Sequence, residues 1–325
     1  MKYLGRRLAR AFLLLLGVSA LCFLFSEMAP GSFFDELRLN PQISPETIAA
    51  LRVRYGLDQS LAVRYLRWMA AAARGDLGYS IAYNSPVAPL LWTRAKNTLL
   101  LTATATLLTW LIAVPLGVFS AASRGRLLDK AVAVGSSLLI SIPEIVIAIA
   151  LLALAVRTRL VPVGGMRSVS SEELSTWTAV KDVGQHMLLP TAVLVLASIA
   201  VVERHIRAAV VEVLQAPYIK TARGLGISRG RLLFRHVLPV AANPGISLFG
   251  FSLATLLSGS LLVEVVTGWP GLGPLLLDAT LSRDLYLVIG GLMFSAVFMV
   301  AGNLIADLLL MASDPRIRAG EPDAN

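Results

Sequence analysis

Between Leu285 and Leu310 the chain carries a single charged residue, Asp307. A run of that kind is too apolar for a water-facing surface, and it is long enough to cross the hydrocarbon core of a bilayer, which takes about 20 apolar residues in a helix. Five further windows have much the same character: Ala11 to Met28, Leu99 to Ala122, Ala131 to Val156, Met187 to Val202 with its flanks, and Val240 to Val263. In lipid every backbone polar group must be satisfied internally, which restricts runs of this length to helices. The expected fold is an all-α integral membrane protein with six transmembrane helices. With 56% hydrophobic and 15% charged residues, a chain of 325 residues also lacks the polar surface of a soluble globule.

The net charge of +9 does not point to nucleic acid, because the basic residues flank apolar runs instead of forming one patch. Cys22 is the only cysteine, so no intrachain disulfide forms. His186, His205 and His236 lie far apart in sequence and read as helix-end polar residues, with no metal-ligand cluster. Lys2, Arg6, Arg7 and Arg10 precede the first apolar run as in a signal peptide, but the run is long and no small-x-small cleavage site follows, so it is expected to remain as the first span.

Orientation follows from the short loops. Arg124, Arg126 and Lys130 lie between spans two and three, and seven basic residues lie from Arg204 to Arg235, between spans four and five. Both loops, and with them both termini, are expected on the cytoplasmic side. The segment from Pro30 to Lys96 then lies outside despite its eight basic residues, and is long enough for the charge rule to lose force. Ser44-Pro45-Glu46-Thr47 offers a helix start, Glu46 to Tyr55 and Leu61 to Ala73 read as two short helices, and Gly75-Asp76-Leu77-Gly78 is a turn. This segment is expected to be a small outer cap. The second outer loop, Thr158 to Gln185, is richer in Gly, Ser and charge and reads as less ordered.

Ionisable groups within spans are rare and tend to face protein or water. Glu144 sits near the middle of span three, directly after Pro143, where a kink frees backbone carbonyls. It either lines a translocation path or pairs with a neighbouring helix. Asp307, with Asn303 one turn earlier, reads as an interfacial tie between helices. Glu264, solvated at the outer end of span five, opens a run through Trp269, Pro270, Gly271 and Gly273 that suits a tight non-helical turn, with Trp269 as interfacial anchor and the turn as hairpin or outer gate.

The segment from Tyr218 to Pro244 is basic and glycine-punctuated, yet wedged between two spans. Ile219, Ala222, Leu225, Leu232, Leu233 and Phe234 recur at helical spacing, with Lys220, Arg223, Arg229, Arg231 and Arg235 between them. Two short amphipathic helices with a break at Gly224 to Gly230 are expected, held by something on the cytoplasmic side. No phosphate loop, zinc motif or hydrolase constellation accompanies them, so any ATP hydrolysis belongs to another subunit.

The ordered set Ala29-Pro30-Gly31, Tyr55-Gly56-Leu57-Asp58, Tyr65-Leu66-Arg67-Trp68, Arg74 to Ser80, Asn97-Thr98-Leu99, Ser141-Ile142-Pro143, Glu264 with Trp269 to Gly273, Arg283-Asp284, Asn303 with Asp307, and Asp314 to Arg318 resembles the membrane permease subunit of an ABC importer of the dipeptide/oligopeptide/nickel class from end to end. The basic segment is similar to that family's coupling loop: Ala222 matches its second alanine, Gly226 its glycine and Leu238-Pro239 its closing pair, while Lys220, Thr221 and His236 depart from it. The resemblance implies that residues 1–29 hold the start and first span, 30–96 the cap, 97–314 the transmembrane domain with its coupling loop at about 208–239, and 315–325 a cytoplasmic tail.

It further implies that Tyr218, Ile219, Thr221, Ala222, Arg223, Leu225, Gly226, Arg229, Leu238 and Pro239 form the loop that docks in a cytosolic ATPase, with Ile219 and Leu225 as apolar anchors. The implied partners are two ATPase subunits carrying ATP and magnesium, a second homologous permease chain in a heterodimer, membrane lipid and an external solute-binding protein, which would meet the cap from Pro30 to Lys96 and the run Glu264 with Trp269 to Gly273 where that run is not an outer gate. This chain itself would bind no cofactor and catalyse nothing, working in a prokaryotic cytoplasmic (inner) membrane on small peptides or a related solute. The alternative from the residues alone is an ion-gradient-driven secondary transporter using Glu144 and Asp307.

Overall fold

The computed structural model describes residues 2–28, 44–54, 58–168 and 175–313. In chain order its helices are α1 (Lys2–Met28), α2 (Pro45–Arg54), α3 (Leu61–Ala72), α4 (Val87–Ala122), α5 (Leu127–Ser141), α6 (Glu144–Thr158), α7 (Thr176–Gln215), α8 (Pro217–Gly224), α9 (Arg229–Leu232), α10 (Leu238–Thr267), α11 (Leu272–Leu281) and α12 (Leu285–Ser313). A hairpin of β1 (Tyr79–Ser80) and β2 (Ser85–Pro86) precedes α4, and one π-helical turn, Leu233–Val237, joins α9 to α10.

Among the described residues four helical stretches are long and apolar enough to cross a membrane, or up to six if each of two interrupted pairs is one span; the expected first span, Ala11 to Met28, falls on a shorter apolar stretch, Ala9–Phe25, and is not among them. The all-α membrane fold thus stands, but the window from Ala131 to Val156 is not one helix. It bends by 96° between α5 and α6. Pro143 has no N–H and forces Ile142 into an extended conformation (φ −96°, ψ 122°), so α5 stops there and α6 starts afresh at Glu144. At about 1.5 Å per residue the 40 residues of α7 extend about 60 Å, twice a hydrocarbon core of about 30 Å.

By internal contacts the chain divides into two compact units, Met1–Asn97 with Pro270–Val300, and Thr98–Trp269 with Ala301–Asn325. In the first, α3 packs against α1: Phe23 is buried beneath Tyr65 and Trp68, each ring centroid 5.3 Å from its own. Ser19 Oγ and Tyr65 Oη share a 3.0 Å hydrogen bond, and Trp68 Nε1 donates to Leu77 O at 3.1 Å. The two short helices expected after the first span are both present, and Ser44 Oγ accepts from Thr47 N–H at 3.2 Å at the start of α2.

The hairpin was not expected. Its turn is held by Asp284, 1% exposed, whose Oδ2 accepts from Ser80 Oγ at 2.7 Å and Ala82 N–H at 3.0 Å, while Oδ1 accepts from Leu287 N–H at 3.3 Å. One carboxylate thus closes the hairpin and caps α12. Asp284→Ala orphans these donors and should destabilise the unit by about 2–3 kcal/mol. The expected readouts are a lower thermal midpoint in detergent and new protease cleavage within 79–86.

Among the described residues the second unit has two apolar clusters. One gathers Leu101, Ala105, Ile147, Val193, Leu194, Val263 and Trp269; the other gathers Val118, Val202, Val210, Ile219, Leu232 and Val237. In the described parts of the Thr158 to Gln185 segment, which exclude residues 169–174, more structure is present than composition suggests: α7 begins at Thr176, and Asp182 accepts from Ser168 N–H and Ser168 Oγ, both at 2.7 Å. His186, expected at a helix end, is buried inside α7 with Nδ1 2.9 Å from Asp182 O. The motif pieces Ala29-Pro30-Gly31 and Asp314 to Arg318 lie outside the described residues, as do Tyr55-Gly56-Leu57 and the side chain of Asp307.

Candidate functional site

The basic segment expected to dock in an ATPase starts where α7 ends. Ala216 is extended (φ −59°, ψ 142°) ahead of Pro217, and Pro217 opens α8 at the position where its missing N–H has no intrahelical partner to lose. The helix closes with Ile227 N–H donating to Ala222 O at 3.3 Å and Gly226 N–H to Arg223 O at 3.1 Å. This 6→1 and 5→2 pair requires a left-handed residue after the cap, and Gly226 supplies it with φ +82°. A side chain at Gly226 would meet nothing within 4 Å, so its constraint is conformation and an open surface above it. Ser228 precedes α9, the π turn follows, and Leu238 begins α10 with Pro239 in its first turn.

This short framework sorts the side chains into two sets. Ile219 is fully buried among Val210, Leu232 and Val237, and Ala222, Ile227 and Leu238 pack against the same cluster. Ile219 therefore anchors α8 to its own chain and is not available to a partner, which corrects the sequence expectation. Leu225 is 79% exposed, and Tyr218, Thr221, Gly226 and Phe234 are exposed with it. Lys220, Arg223, Arg229, Arg231 and Arg235 are also exposed, and no acidic residue lies between Ala216 and Pro239. The result is a basic surface with one protruding leucine on a firmly seated helix.

Pro143 and Glu144 sit at the α5–α6 break. Glu144 is half-buried, and Gly259 of α10 faces it, since a β-carbon on Gly259 would lie 3.8 Å from Glu144 Oε2. A carboxylate at a helix break beside small residues is suited to meet a polar solute.

The run at the end of α10 is arranged differently from its reading as a solvated, interfacial turn. Glu264 is fully buried, with Ser260 Oγ 3.5 Å from Oε1, and Trp269 is 1% exposed within the apolar cluster. Gly268 is left-handed (φ +70°), Trp269 N–H donates to Glu264 O at 2.9 Å, and Gly165 N–H donates to Gly268 O at 2.9 Å. Trp269 is buried because residues 164–166 fold over it. Pro270 O accepts from Asn97 Nδ2 at 2.8 Å, and Gly273 is already helical, in α11, so the non-helical turn is shorter than expected. Nearby, Tyr83 Oη donates to Asp278 Oδ2 at 3.1 Å; burial, then that bond, raise the phenol above its usual pKa and keep it a donor at neutral pH.

A family model described as binding-protein-dependent transport system inner membrane component matches residues 113–319, and the model for the N-terminal part of such membrane components matches residues 1–102. The chain belongs to this family. The permease is 36% identical to the oligopeptide transport system permease protein AppB of Bacillus subtilis (strain 168), over 97% of its own length and 98% of that protein. It is 33% identical to the dipeptide transport system permease protein DppB of Escherichia coli (strain K12), over 98% and 99% of the two chains.

Two solved structures share its fold. One is an amino acid ABC transporter crystallised with histidines (TM-score 0.51, 17% identity, 69% of this chain and 94% of that one). The other is the inward-facing MetNI methionine ABC transporter (TM-score 0.52, 18% identity, 69% and 96%). The permease is thus a multi-pass inner-membrane subunit of a binding-protein-dependent ABC transport system.

The permease also contains polar groups that its sequence did not single out. Asp129 accepts from Arg207 Nε at 2.7 Å, Arg207 Nη2 at 3.0 Å, Ser120 Oγ at 2.9 Å and Gly125 N–H at 2.8 Å. The partners are up to 78 residues apart, and nothing local in the sequence marks them. Gly117 lies so close to α7 that a β-carbon there would stand 2.8 Å from Glu203 O.

Proposed function

We propose that this permease forms half of the translocation path of an ATP-driven importer of small peptides or a related solute, coupled to its ATPases through the segment from Tyr218 to Pro239. The observation that carries the reading is the split of that segment: Ile219 seated in the permease core, with Leu225, Gly226 and five basic side chains turned outward. An exposed leucine beside an open glycine surface fits an apolar groove, and the arginines complement acidic residues around it. The peptide cargo is supported by relatives named for oligopeptide and dipeptide transport.

In this reading two cytosolic ATPase subunits hold ATP and magnesium, a second, non-identical permease completes the path, and an external solute-binding protein delivers cargo. Both termini face the cytoplasm, and the chain itself performs no catalysis. Pro143 and Glu144 line the path, while Trp269 shapes the outer turn from beneath, as a packed wedge. Closure of the ATPases moves the coupling segments, and the membrane helices rearrange between inward- and outward-open states.

The direct test is Gly226→Asp in the whole complex. The carboxylate puts a charge of the wrong sign on the basic face and a side chain into the open surface, with a left-handed strain of about 1 kcal/mol. The expected result is a permease that still inserts but copurifies with at least about tenfold less ATPase and loses uptake. Normal ATPase retention and uptake in this variant would remove the docking assignment.

A further inference from the structure

Only two residues of α5 are buried, Asp129 and Ser136, and both are polar. A helix this apolar ordinarily fixes itself to its neighbours by an apolar stripe. Here Val134, Leu138 and Ile140 are exposed, Val132 and Leu139 are only half-buried, and the two fully buried side chains make hydrogen bonds. Ser136 Oγ donates to Glu203 Oε2 at 2.8 Å, Arg204 Nη2 donates to Ser137 Oγ at 2.7 Å, and Arg207 grips Asp129 with two parallel bonds of 2.7 and 3.0 Å. All three α7 residues lie within one turn or so of each other, while their partners run the length of two turns on α5. The Asp129 carboxylate also takes the Ser120 hydroxyl and the Gly125 amide, so the same group closes the α4–α5 turn.

The position of this row gives it a consequence for coupling. Arg207 lies eight residues before the end of α7 at Gln215, and the coupling helix begins two residues later at Pro217. At its far end α5 terminates in the Ile142-Pro143 break, immediately before Glu144. Directional bonds between charged groups hold one geometry and resist sliding, whereas apolar packing of exposed leucines in lipid gives little preference between registers.

We propose that Asp129 and Arg207 are positioning residues for energy coupling: their ion pair makes α5 follow α7 when the coupling segment is displaced, so that the displacement is taken up at the Ile142-Pro143 break beside Glu144. The proposal rests on the reading of Tyr218 to Pro239 as the ATPase-docking segment. It goes beyond it in assigning the route from that segment to the break.

The test uses the intact complex copurified on a tagged permease, reconstituted with its binding protein, and radiolabelled dialanine as the transported probe. Asp129→Asn and Arg207→Gln should retain the ATPase subunits and the KM for dialanine, yet transport about tenfold less probe per ATP hydrolysed. The exchanged pair Asp129→Arg with Arg207→Asp should recover at least a third of the lost ratio.

Spin labels at the exposed positions Leu138→Cys on α5 and Val201→Cys on α7, on the same side of Pro190 as Glu203 to Arg207, in a Cys22→Ala background, supply a readout that needs neither cargo nor the charge variants. Their separation should stay constant between nucleotide-free and ATP-vanadate states, while that from Leu138→Cys to Leu154→Cys on α6 changes. An unchanged transport-to-ATP ratio in both single variants overturns the proposal, as does movement of α5 against α7 in the unsubstituted pair. Loss of ATPase subunits from Asp129→Asn to the extent seen for Gly226→Asp also overturns it, since the pair would then belong to the docking site. Failure of the docking reading shows separately, as Gly226→Asp complexes that keep their ATPase.

Discussion

Ile219→Asp and Leu225→Asp, six residues apart on the same short segment, are expected to fail in opposite ways. Ile219 has no exposed surface and sits among Val210, Leu232 and Val237, so an aspartate there loses the apolar contact of a full side chain and buries a charge with no cation facing it in that cluster. The expected destabilisation is about 4 kcal/mol or more, enough to release α8 from the core. Limited proteolysis should then cut between Ala216 and Ser228, and the permease should be depleted from the membrane. Leu225→Asp changes a side chain that is 79% exposed. Its protein should accumulate normally, resist the same protease and melt within about a degree or two of the parent, since surface changes stay near ±0.5 kcal/mol. Its ATPase retention and uptake should nevertheless collapse. Equal accumulation of both variants would show that Ile219 is not the anchor of this segment.

The second large effect is expected at Gly268. Its φ of +70° is unfavourable for any residue with a β-carbon, by roughly 1–2 kcal/mol. A β-carbon there would also stand 3.0 Å from Gly164 Cα, a backbone atom that cannot swing away. Gly268→Val adds branching to both problems and should destabilise the second unit by about 3 kcal/mol or more. It should also break the Gly165 N–H bond to Gly268 O and uncover Trp269, seen as a red-shifted, quencher-accessible tryptophan emission. Gly226→Ala provides the comparison. It has the same sign of φ but open space around the β-carbon, so it should lose only the conformational part, about 1 kcal/mol.

These two glycines show where sequence reasoning reached and where it stopped. The run lengths that announce helices in lipid are a property of composition, so the membrane fold could be read directly. A disturbance at Pro143 and the turn at Gly226 were legible because each follows from the chemistry of one residue type, but the expected kink within one span is a full stop with a 96° bend. Which apolar residue of the basic segment faces its own core was not legible: Ile219 and Leu225 look alike in the sequence, and the choice is decided by Val210 and Leu232, which lie outside α8. The same limit applies to Glu264 and Trp269. Their sequence position suggested an exposed rim, and a fold-back of residues 164–166 turned that rim into core.

The β-hairpin has strands of two residues, too short for any alternation to register. Its closure by Asp284 spans more than 200 residues of sequence. Motif pieces that looked merely ordered along the chain, Ser80 and Asp284, or Asn97 and Pro270, prove to be hydrogen-bonded couples.

The length of α7 has a mechanical meaning. A continuous helix of about 60 Å is a lever: tilting it by about 5° about one end carries the other through about 5 Å. One end of this lever joins the basic segment at Pro217, and the other holds Ser168 through Asp182. Pro190, inside the helix, removes one rung of its hydrogen-bond ladder and is the point at which the lever has least bending stiffness. A displacement of a few ångströms applied to the basic segment at one end of α7 can thus be felt at its other end, about 60 Å away, without any solute lying in between.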